Sequence, residues 1–193
     1  MKSEIISEKD FEYDSNRPGM SRRAFLLAAA SAAAALAVPD LGMAAKRKSL
    51  PLRFYHTHTG ERMVVDYSPG SYGGSVRQAL EHFLRDFRTG EVHPLDCRLF
   101  DSLCAIQRCC KELAPFEIIS GYRSPKTNAK LRKNSSGVAR KSLHMQGRAI
   151  DIRVTGLSTK KLRDIALDVH QGGVGYYPKS KFIHIDTGRK RHW

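Results

Sequence analysis

The sequence predicts an α+β fold in which a small, mostly antiparallel sheet is flanked by helices. Two observations carry this prediction. The first half of the chain holds a strand–turn–strand pattern, followed by two segments with the 3.6-residue period of amphipathic helices. The second half changes to four short apolar strands with helices between them. Helices and strands that are segregated in this way along a chain are typical of α+β folds.

The first half begins with a predicted β-hairpin. Residues 52–57 and 61–67 alternate between apolar and polar side chains, and His58-Thr59-Gly60 lies between them as the turn. The apolar residues that follow recur with a helical period, which predicts two helices in succession. The remaining elements predicted for this half are a loop over 68–74 and helices over 76–88 and 96–113.

The second half is predicted to form the rest of the sheet. Its strands are short runs rich in β-branched and aromatic residues. A short helix is predicted over 127–133, and a longer one over 159–170 with Ser158 as its N-cap. The predicted strands span residues 116–122, 148–154, 173–177 and 182–187.

The N-terminus carries the pattern of a secretory signal. Paired Arg22-Arg23 precede an apolar, alanine-rich run over 24–38, and small residues follow. This order of basic, apolar and small-residue regions is typical of a cleavable signal. The paired arginines resemble the twin-arginine form. Residues 1–45 are therefore predicted to be a leader that exports the protein to the periplasm.

The alternative is that the leader stays as a membrane anchor. The apolar run over 24–38 is shorter than the ~20 residues that a spanning helix needs, and alanine is only weakly apolar. We therefore expect cleavage after Ala44 or Ala45, which leaves residues 46–193 as one domain without stable membrane insertion. A monomer is expected.

The chain is strongly basic, with 33 Lys and Arg against 19 Asp and Glu and a formal net charge of +14. Such an excess indicates an anionic partner or surface. Nucleic acid is not the expected partner, because an exported protein meets little of it. Peptidoglycan stem peptides, teichoic acids and anionic lipid headgroups are the anions outside the cytoplasm. The alternative is a solvated basic surface, because the basic residues are scattered along the sequence.

Four cysteines, at positions 97, 104, 109 and 110, fall in the second predicted helix. Cys97 and Cys104 would be about 10 Å apart along a helix, which is too far for a disulfide. The spacing also fits no Cys-x-x-Cys motif. We expect buried thiols and assign them no chemistry.

Two predicted strands combine an apolar face with a face that carries metal-binding groups. Side chains alternate along a strand, so Asp151 lies on the face opposite to the isoleucines that flank it. His184 is flanked by isoleucines in the same way. If the isoleucine faces pack in the core, Asp151 and His184 can project from the same side of the sheet into one pocket.

A third candidate, His144, lies in the loop that enters the strand of Asp151 and can fold back over it. Two imidazoles and one carboxylate suit Zn²⁺, with a fourth position left open. Each residue also has a structural alternative. A histidine in a strand is often only hydrogen-bonded, and Asp151 could instead form an ion pair with Arg123.

One sequence pattern resembles the signature of the LAS zinc peptidases, which include D-alanyl-D-alanine peptidases and share their fold with the hedgehog domain. The pattern is Ser-x-His-x-x-Gly-x-Ala-x-Asp, present as Ser142, His144, Gly147, Ala149 and Asp151. Ser-Gly-Tyr-Arg upstream and Phe-Ile-His-Ile-Asp-Thr-Gly downstream occur in the expected order. Together with the Arg-x-Arg-x-Trp tail, the combination resembles the exported murein endopeptidase K type over about residues 50–193.

The resemblance implies that His144, Asp151 and His184 bind Zn²⁺ and that Arg123 binds or polarises the substrate carbonyl. A bound zinc ion supplies Lewis-acid catalysis of amide hydrolysis. Arg123 would add positive charge where the oxyanion forms, and Ser142 would support one of the ligands. The implied reaction is hydrolysis of a peptide bond in peptidoglycan cross-links or stem peptides during cell-wall remodelling.

The chain departs from the related peptidases at the expected general base. They carry an acid three residues before the third ligand, where this chain has Lys181. A histidine that can stand one position later is replaced by Phe182. Asp186 is the candidate base, because it lies on the same face of its strand as His184. It is equally a candidate for orienting that histidine from outside the metal shell.

A second class of function remains open. A non-catalytic metal- or wall-binding module of the same fold is favoured by the missing acid at position 181 and opposed by the complete set of metal-binding groups. A protein that binds polyanions by charge alone is the weakest hypothesis, because it leaves Asp151 and His184 unexplained.

Overall fold

The computed structural model describes residues 49–110, 114–135 and 137–193. The predicted twin-arginine leader over 1–45 lies outside the described residues, and so does the end of the second predicted helix. Within those ranges, no helix combines the length and the apolar character that crossing a bilayer requires.

Seven described strands form one sheet in the order β2-β1-β3-β4-β6-β5-β7. β1 and β2 form the predicted N-terminal hairpin. The last strand is a two-residue element that the sequence pattern did not predict. The strands are β1 (Leu50–His56), β2 (Arg62–Tyr67), β3 (Phe116–Ser120), β4 (Ala149–Val154), β5 (Gly173–Tyr177), β6 (Phe182–Asp186) and β7 (Arg191–His192).

The sheet is mixed, which corrects the prediction of a mostly antiparallel one. Two pairings between described strands, β1 with β3 and β5 with β7, are parallel. β3 follows a long crossover that contains two helices, so the chain returns in the direction of β1. β7 adds to the far edge of the β5–β6 hairpin, and it runs antiparallel to β6 because the chain reverses once more after that strand.

Four α-helices and one 3₁₀ helix connect the described strands. Ser158 caps the last α-helix as predicted, because its hydroxyl accepts a hydrogen bond from the Lys161 amide at 3.2 Å. The third α-helix begins two residues earlier than predicted, because Ser124 caps it and Pro125 takes the first helical position. The helices are α1 (Gly74–Phe83), α2 (Arg98–Cys109), α3 (Pro125–Asn134), the 3₁₀ helix (Leu143–Gln146) and α4 (Thr159–Val169).

α1 ends at Phe83, five residues before the predicted end. The chain after it turns around the buried carboxylate of Asp86, which accepts hydrogen bonds from the backbone amides of Arg88 at 3.0 Å and Ser124 at 2.9 Å. Of these contacts, the one with Arg88 uses a backbone amide that a longer helix would need. The other comes from a residue 38 positions away, so the local period could not reveal it.

The four cysteines are not paired with one another in the structure. Only Cys104 is fully buried, on the face of α2 that also carries Phe100 and Leu103. Cys97 and Cys109 are exposed and Cys110 is half-buried. The prediction of buried thiols is therefore wrong for Cys97 and Cys109, whereas Cys110 is half-buried and packs against the core.

The isoleucines of β4 and β6 form the core face of the sheet, as predicted. Ile150 pairs with Ile185 and Ile152 with Ile183, and all four are at most 1% exposed. α4 packs against this region of the sheet and also contacts α2. The opposite face of the same strands is therefore left free to line a site.

Candidate metal centre

Asp151 and His184 lie directly opposite each other on the antiparallel strands β4 and β6. Opposed residues of such a pair project from the same face of the sheet, with their Cβ atoms about 5 Å apart. Oδ1 of Asp151 lies 2.8 Å from Nδ1 of His184. The sheet therefore brings a carboxylate and an imidazole into contact through its register alone.

His144 reaches the pair from the 3₁₀ helix that precedes β4. Its Nε2 lies 3.2 Å from Oδ1 of Asp151 and 3.1 Å from Nδ1 of His184. The 3₁₀ helix ends at Gly147 with φ of +64°, where an added Cβ would lie 2.1 Å from the Pro94 carbonyl oxygen. Only glycine fits this turn, which explains the glycine between His144 and the strand.

The three side chains form a group that could hold a metal ion. The facing atoms are separated by 2.8, 3.1 and 3.2 Å. Atoms bound to one tetrahedral Zn²⁺ at ~2.0–2.2 Å lie roughly 3.3 Å apart, so the group needs little rearrangement. Two nitrogens and one oxygen are a donor set that Zn²⁺ accepts.

The far nitrogen of each imidazole is bound to the protein. Nδ1 of His144 lies 2.8 Å from the carbonyl oxygen of Gly121, and Nε2 of His184 lies 3.1 Å from Oδ2 of Asp186. Both partners are acceptors, so these nitrogens carry the protons. The nitrogens that face the centre can then present lone pairs, as in other metal sites with a carbonyl or carboxylate behind the histidine.

Asp186 is fully buried and its oxygens are saturated with donors. The Arg191 guanidinium donates to both oxygens, at 2.7 and 3.0 Å. The backbone amides of Gly188 and Gly173 donate to Oδ1 at 2.8 and 3.3 Å. With His184 on the other oxygen, Asp186 is held rigidly behind the metal-binding group.

The electrostatics of the site favour a cation between the three side chains. Burial by itself would raise the pKa of Asp151, but the neighbouring imidazoles hold it well below its usual range. Burial would lower the pKa of His184, but hydrogen bonds to Asp151 and Asp186 raise it to about 9. Burial lowers the pKa of His144. Without a metal ion, the centre therefore contains an anionic Asp151, a neutral His144 and a protonated His184, and a metal ion would take the place of the His184 proton that faces Asp151.

Arg123 borders the same group. Its Nη2 lies 3.7 Å from Oδ2 of Asp151 and donates to the Ser120 hydroxyl at 3.3 Å. Its Nη1 donates to Oδ1 of Asn128 at 3.4 Å. The Nε atom is buried without a hydrogen-bond partner among the described residues. Burial lowers the pKa of Arg123, but a guanidinium remains charged at neutral pH.

The group lies in a cleft of about 400 Å³. One wall is the loop between α3 and the 3₁₀ helix, including Lys141 and Ser142. The other wall is aromatic and consists of Tyr177, Phe182 and Trp193. The rings of Tyr177 and Phe182 are stacked with centroids 4.7 Å apart, and the Trp193 indole donates to the Tyr177 hydroxyl at 3.0 Å.

Several residues of this site are not predicted from the sequence. Arg191 and Trp193 belong to the tail that carried the family resemblance, but their contacts with Asp186 and with the His184 ring, 5.5 Å away, depend on β7. Gly175 lies under the indole, where an added Cβ would come within 2.7 Å of it. An aromatic residue close after the strand of a candidate ligand was the available signal.

Ser142 and Lys181 complete the set of residues considered from the sequence. Ser142 is buried at the start of the 3₁₀ helix, where its carbonyl oxygen accepts from the Met145 amide at 3.1 Å. Lys181 is exposed in the turn between β5 and β6, with φ of +55°. Within the described residues, Asp151 and Asp186 are the only carboxylates that line the cleft.

Three comparisons relate the chain to known proteins. A family model described as peptidoglycan L,D-endopeptidase MepK matches residues 43–193. Peptidoglycan L,D-endopeptidase MepK of Escherichia coli K12 is 40% identical over 162 residues, 83% of this chain and 89% of that protein. The probable MepK of Haemophilus influenzae is 41% identical over 155 residues, 79% of this chain and 83% of that protein. The structure of Serratia marcescens L-Ala D-Glu endopeptidase ChiX matches 50% of this chain and 69% of that chain, at 15% identity and a TM-score of 0.34.

Proposed function

The chain belongs to the peptidoglycan L,D-endopeptidase MepK family, and from that membership we propose that it is a zinc-dependent peptidase that cleaves peptidoglycan cross-links. The observation that carries the proposal is the convergence of His144, Asp151 and His184 within 3.2 Å of one another on the floor of a cleft. Such a group, open on one side, is typical of catalytic zinc sites.

The proposed ligands are Nε2 of His144, a carboxylate oxygen of Asp151 and Nδ1 of His184. A bound Zn²⁺ supplies Lewis-acid catalysis, which activates water at neutral pH and polarises a carbonyl group. The protein holds the protons of both imidazoles on their outer nitrogens, at Gly121 and Asp186. The inner nitrogens are therefore available as ligands without a change of side-chain orientation.

Arg123 is proposed to stabilise the negative charge that develops on the substrate oxygen. The Arg123 side chain is only 11% exposed and borders Asp151, so its guanidinium acts in a poorly hydrated environment. Positive charge placed in advance at an oxyanion is worth more there than in water. Asn128 and Ser120 fix the guanidinium from behind.

Asp186 is proposed to orient His184 and not to act as the general base. A general base needs a lone pair that can reach the attacking water. The oxygens of Asp186 are occupied by His184, Arg191 and two backbone amides. Burial would raise the pKa of Asp186, but these partners hold it well below its usual range, so it is a weak proton acceptor. Ser142 is proposed to set the start of the 3₁₀ helix and thereby the position of His144.

The substrate is proposed to lie as an extended peptide between the two walls of the cleft. Tyr177, Phe182 and Trp193 offer apolar surface on one side, and Lys141 offers positive charge on the other. Stem peptides carry free carboxylates, which fit Arg123 and Lys141. The protein acts outside the cytoplasm, where peptidoglycan is found, and the proposed route is the twin-arginine pathway.

The test is digestion of purified peptidoglycan by the zinc-loaded protein, with mass spectrometry of the released peptides. Products that show cleavage of a cross-link, lost with a chelator and restored by zinc, are expected. His184→Ala should abolish the products, whereas His82→Ala, which changes an exposed histidine on α1, should not. Bound zinc without any cleavage would identify the non-catalytic module instead.

A further inference from the structure

We infer that α3 and the loop after it form a basic surface, reaching the cleft at Lys141, that binds carboxylates of neighbouring stem peptides in the peptidoglycan polymer. This inference rests on the proposed function. The basic surface is defined by six exposed residues: Lys126, Lys130, Arg132, Lys133, Arg140 and Lys141.

The charged side chains of residues 118–150 are all of one sign. Residues 118–150 contain no Asp and no Glu, although the chain as a whole has 19 of them. The segment carries eight of the 33 Lys and Arg, so its formal net charge is +8 with histidine neutral. No acidic side chain within the segment can neutralise them.

The helix directs three of these cations to one side. Lys126, Lys130 and Lys133 are spaced four and three residues apart, which aligns them along one face of an α-helix. Thr127 and Asn128 are buried on the opposite side. The lysines therefore form an exposed stripe.

Helix stability does not explain the stripe. Cations stabilise the last turn of a helix but not its first turn, where the macrodipole is positive. Arg132 and Lys133 lie in the last turn of α3, but Lys126 lies in the first, which contains no acidic residue. The charge at Lys126 therefore acts against the helix.

Ion pairs distinguish eight arginines elsewhere in the described structure from the six cations of the basic surface. Among the described residues, none of the six forms an ion pair. The arginines that do form one with Asp or Glu are Arg77, Arg85, Arg98, Arg123, Arg148, Arg153, Arg163 and Arg191. An unpaired cluster of one sign creates a potential that concentrates anions and accelerates their association by ~10–10³-fold.

The basic surface is continuous with the cleft. This position indicates that both bind the same molecule. Lys141 lines the cleft, and the loop that carries it is tied to α3 by a hydrogen bond from Nδ2 of Asn128 to the Ala139 carbonyl oxygen at 3.2 Å. A polymer whose cross-link enters the cleft would therefore meet Lys141, the member of this surface that lines the cleft. Its other stem peptides repeat the same carboxylates, so several weak contacts can act together. A lipid headgroup surface has the charge but does not carry the substrate.

The test compares two variants that each remove two exposed helical lysines. K126Q/K130Q changes the basic surface, and K160Q/K161Q changes α4, which packs on the isoleucine side of the sheet. Zinc-loaded proteins are tested for co-sedimentation with peptidoglycan sacculi at low and high salt, with carboxylate-amidated sacculi and with anionic lipid vesicles. Cleavage of a small soluble cross-linked muropeptide is measured in parallel.

K126Q/K130Q should weaken sacculus binding at low salt by ~3–10-fold and flatten its salt dependence, with cleavage of the soluble muropeptide unchanged. K160Q/K161Q should leave both unchanged, and amidated sacculi should bind the parent protein weakly. Equal losses in the two variants, or no loss in either, would overturn the inference. A loss confined to vesicles would assign the surface to the membrane and overturn it as well. Failure of the parent protein to cleave the muropeptide would instead contradict the proposed function. The sacculus-binding result would still test the basic surface.

Discussion

A carboxylate oxygen of Asp186 lies 3.1 Å from the imidazole Nε2 of His184, and Arg191 donates hydrogen bonds to the same carboxylate at 2.7 and 3.0 Å. The two residues are only two positions apart on β6, so the strand itself places both side chains on one face. This contact fixes which nitrogen of His184 carries a proton and which one faces Asp151. Several predictions about the site depend on it or on its neighbours.

Asp186→Asn should weaken zinc binding by ~10–100-fold while the fold is kept, and excess zinc should restore activity. The reason is that an amide binds and polarises His184 less well than a carboxylate. Zinc affinity and cross-link cleavage are measured on the same variant, with Asp66→Asn on exposed β2 as the control. Intact zinc affinity with turnover lowered ~10²–10⁴-fold would show that Asp186 is the general base after all. No change in either quantity would make it a bystander.

The purified protein should hold close to one zinc ion per chain. His144→Ala, Asp151→Ala and His184→Ala should each lose most of it, because three protein ligands leave little redundancy. Metal content after dialysis is the measurement, and His82→Ala is the matched histidine control. A full zinc content in any one of the three variants would remove that residue from the ligand set.

Arg123→Lys should lower kcat by ~10²–10³-fold with little change in zinc content, because an ammonium cannot occupy the position of the guanidinium held by Asn128 and Ser120. Steady-state cleavage of a soluble cross-linked muropeptide separates kcat from KM. Arg153→Lys, which alters an ion pair with Glu117 away from the cleft, is the control. A rise in KM with kcat preserved would limit Arg123 to substrate binding.

Export should depend on the paired arginines of the leader. Replacing Arg22 and Arg23 together with Lys should leave the protein in the cytoplasm, because the twin-arginine pathway requires the arginines themselves. Fractionation followed by immunoblotting measures the distribution. Normal accumulation of the double variant outside the cytoplasm would contradict the predicted route.

The stability of the domain should fall as pH is lowered from 6.5 towards 4 because of His56. This histidine is fully buried, and burial lowers its pKa from 6.5 to about 4. The unfolded chain then binds more protons in this window, which costs about 2–3 kcal/mol of unfolding free energy by pH 4. Urea unfolding across this range should give a flatter profile for His56→Gln than for the parent or for His82→Gln. Equal slopes in all three would assign the effect to other groups.

Local periodicity predicted most of the elements. The hairpin, the four main strands and the helix capped by Ser158 were expected from alternation and from capping residues, and all are present. These patterns depend on backbone geometry over a few residues. The early end of α1 and the short β7 were missed, because Asp86 binds Ser124 and Arg191–His192 pairs with β5 across long sequence separations.

Whether the sheet was antiparallel or mixed also depended on distant parts of the chain. Strand patterns determine which residues face the core, but not the direction in which a neighbouring strand runs. The crossover through α1 and α2 brings β3 back parallel to β1. Burial of α2 against the core decides that connection. The local spacing of apolar residues in the sequence does not reveal it.

For the site, the sequence by itself determined that Asp151 and His184 stand opposite to isoleucines, because side-chain alternation is a property of each strand. It also supplied the pattern around His144. Only the tertiary structure decided that Asp151 and His184 face each other, that Arg191 holds Asp186, and that Lys141 lines the cleft. Register and pairing follow from burial of the isoleucine faces and from contacts between residues far apart in the chain, and these exist only once the chain has folded.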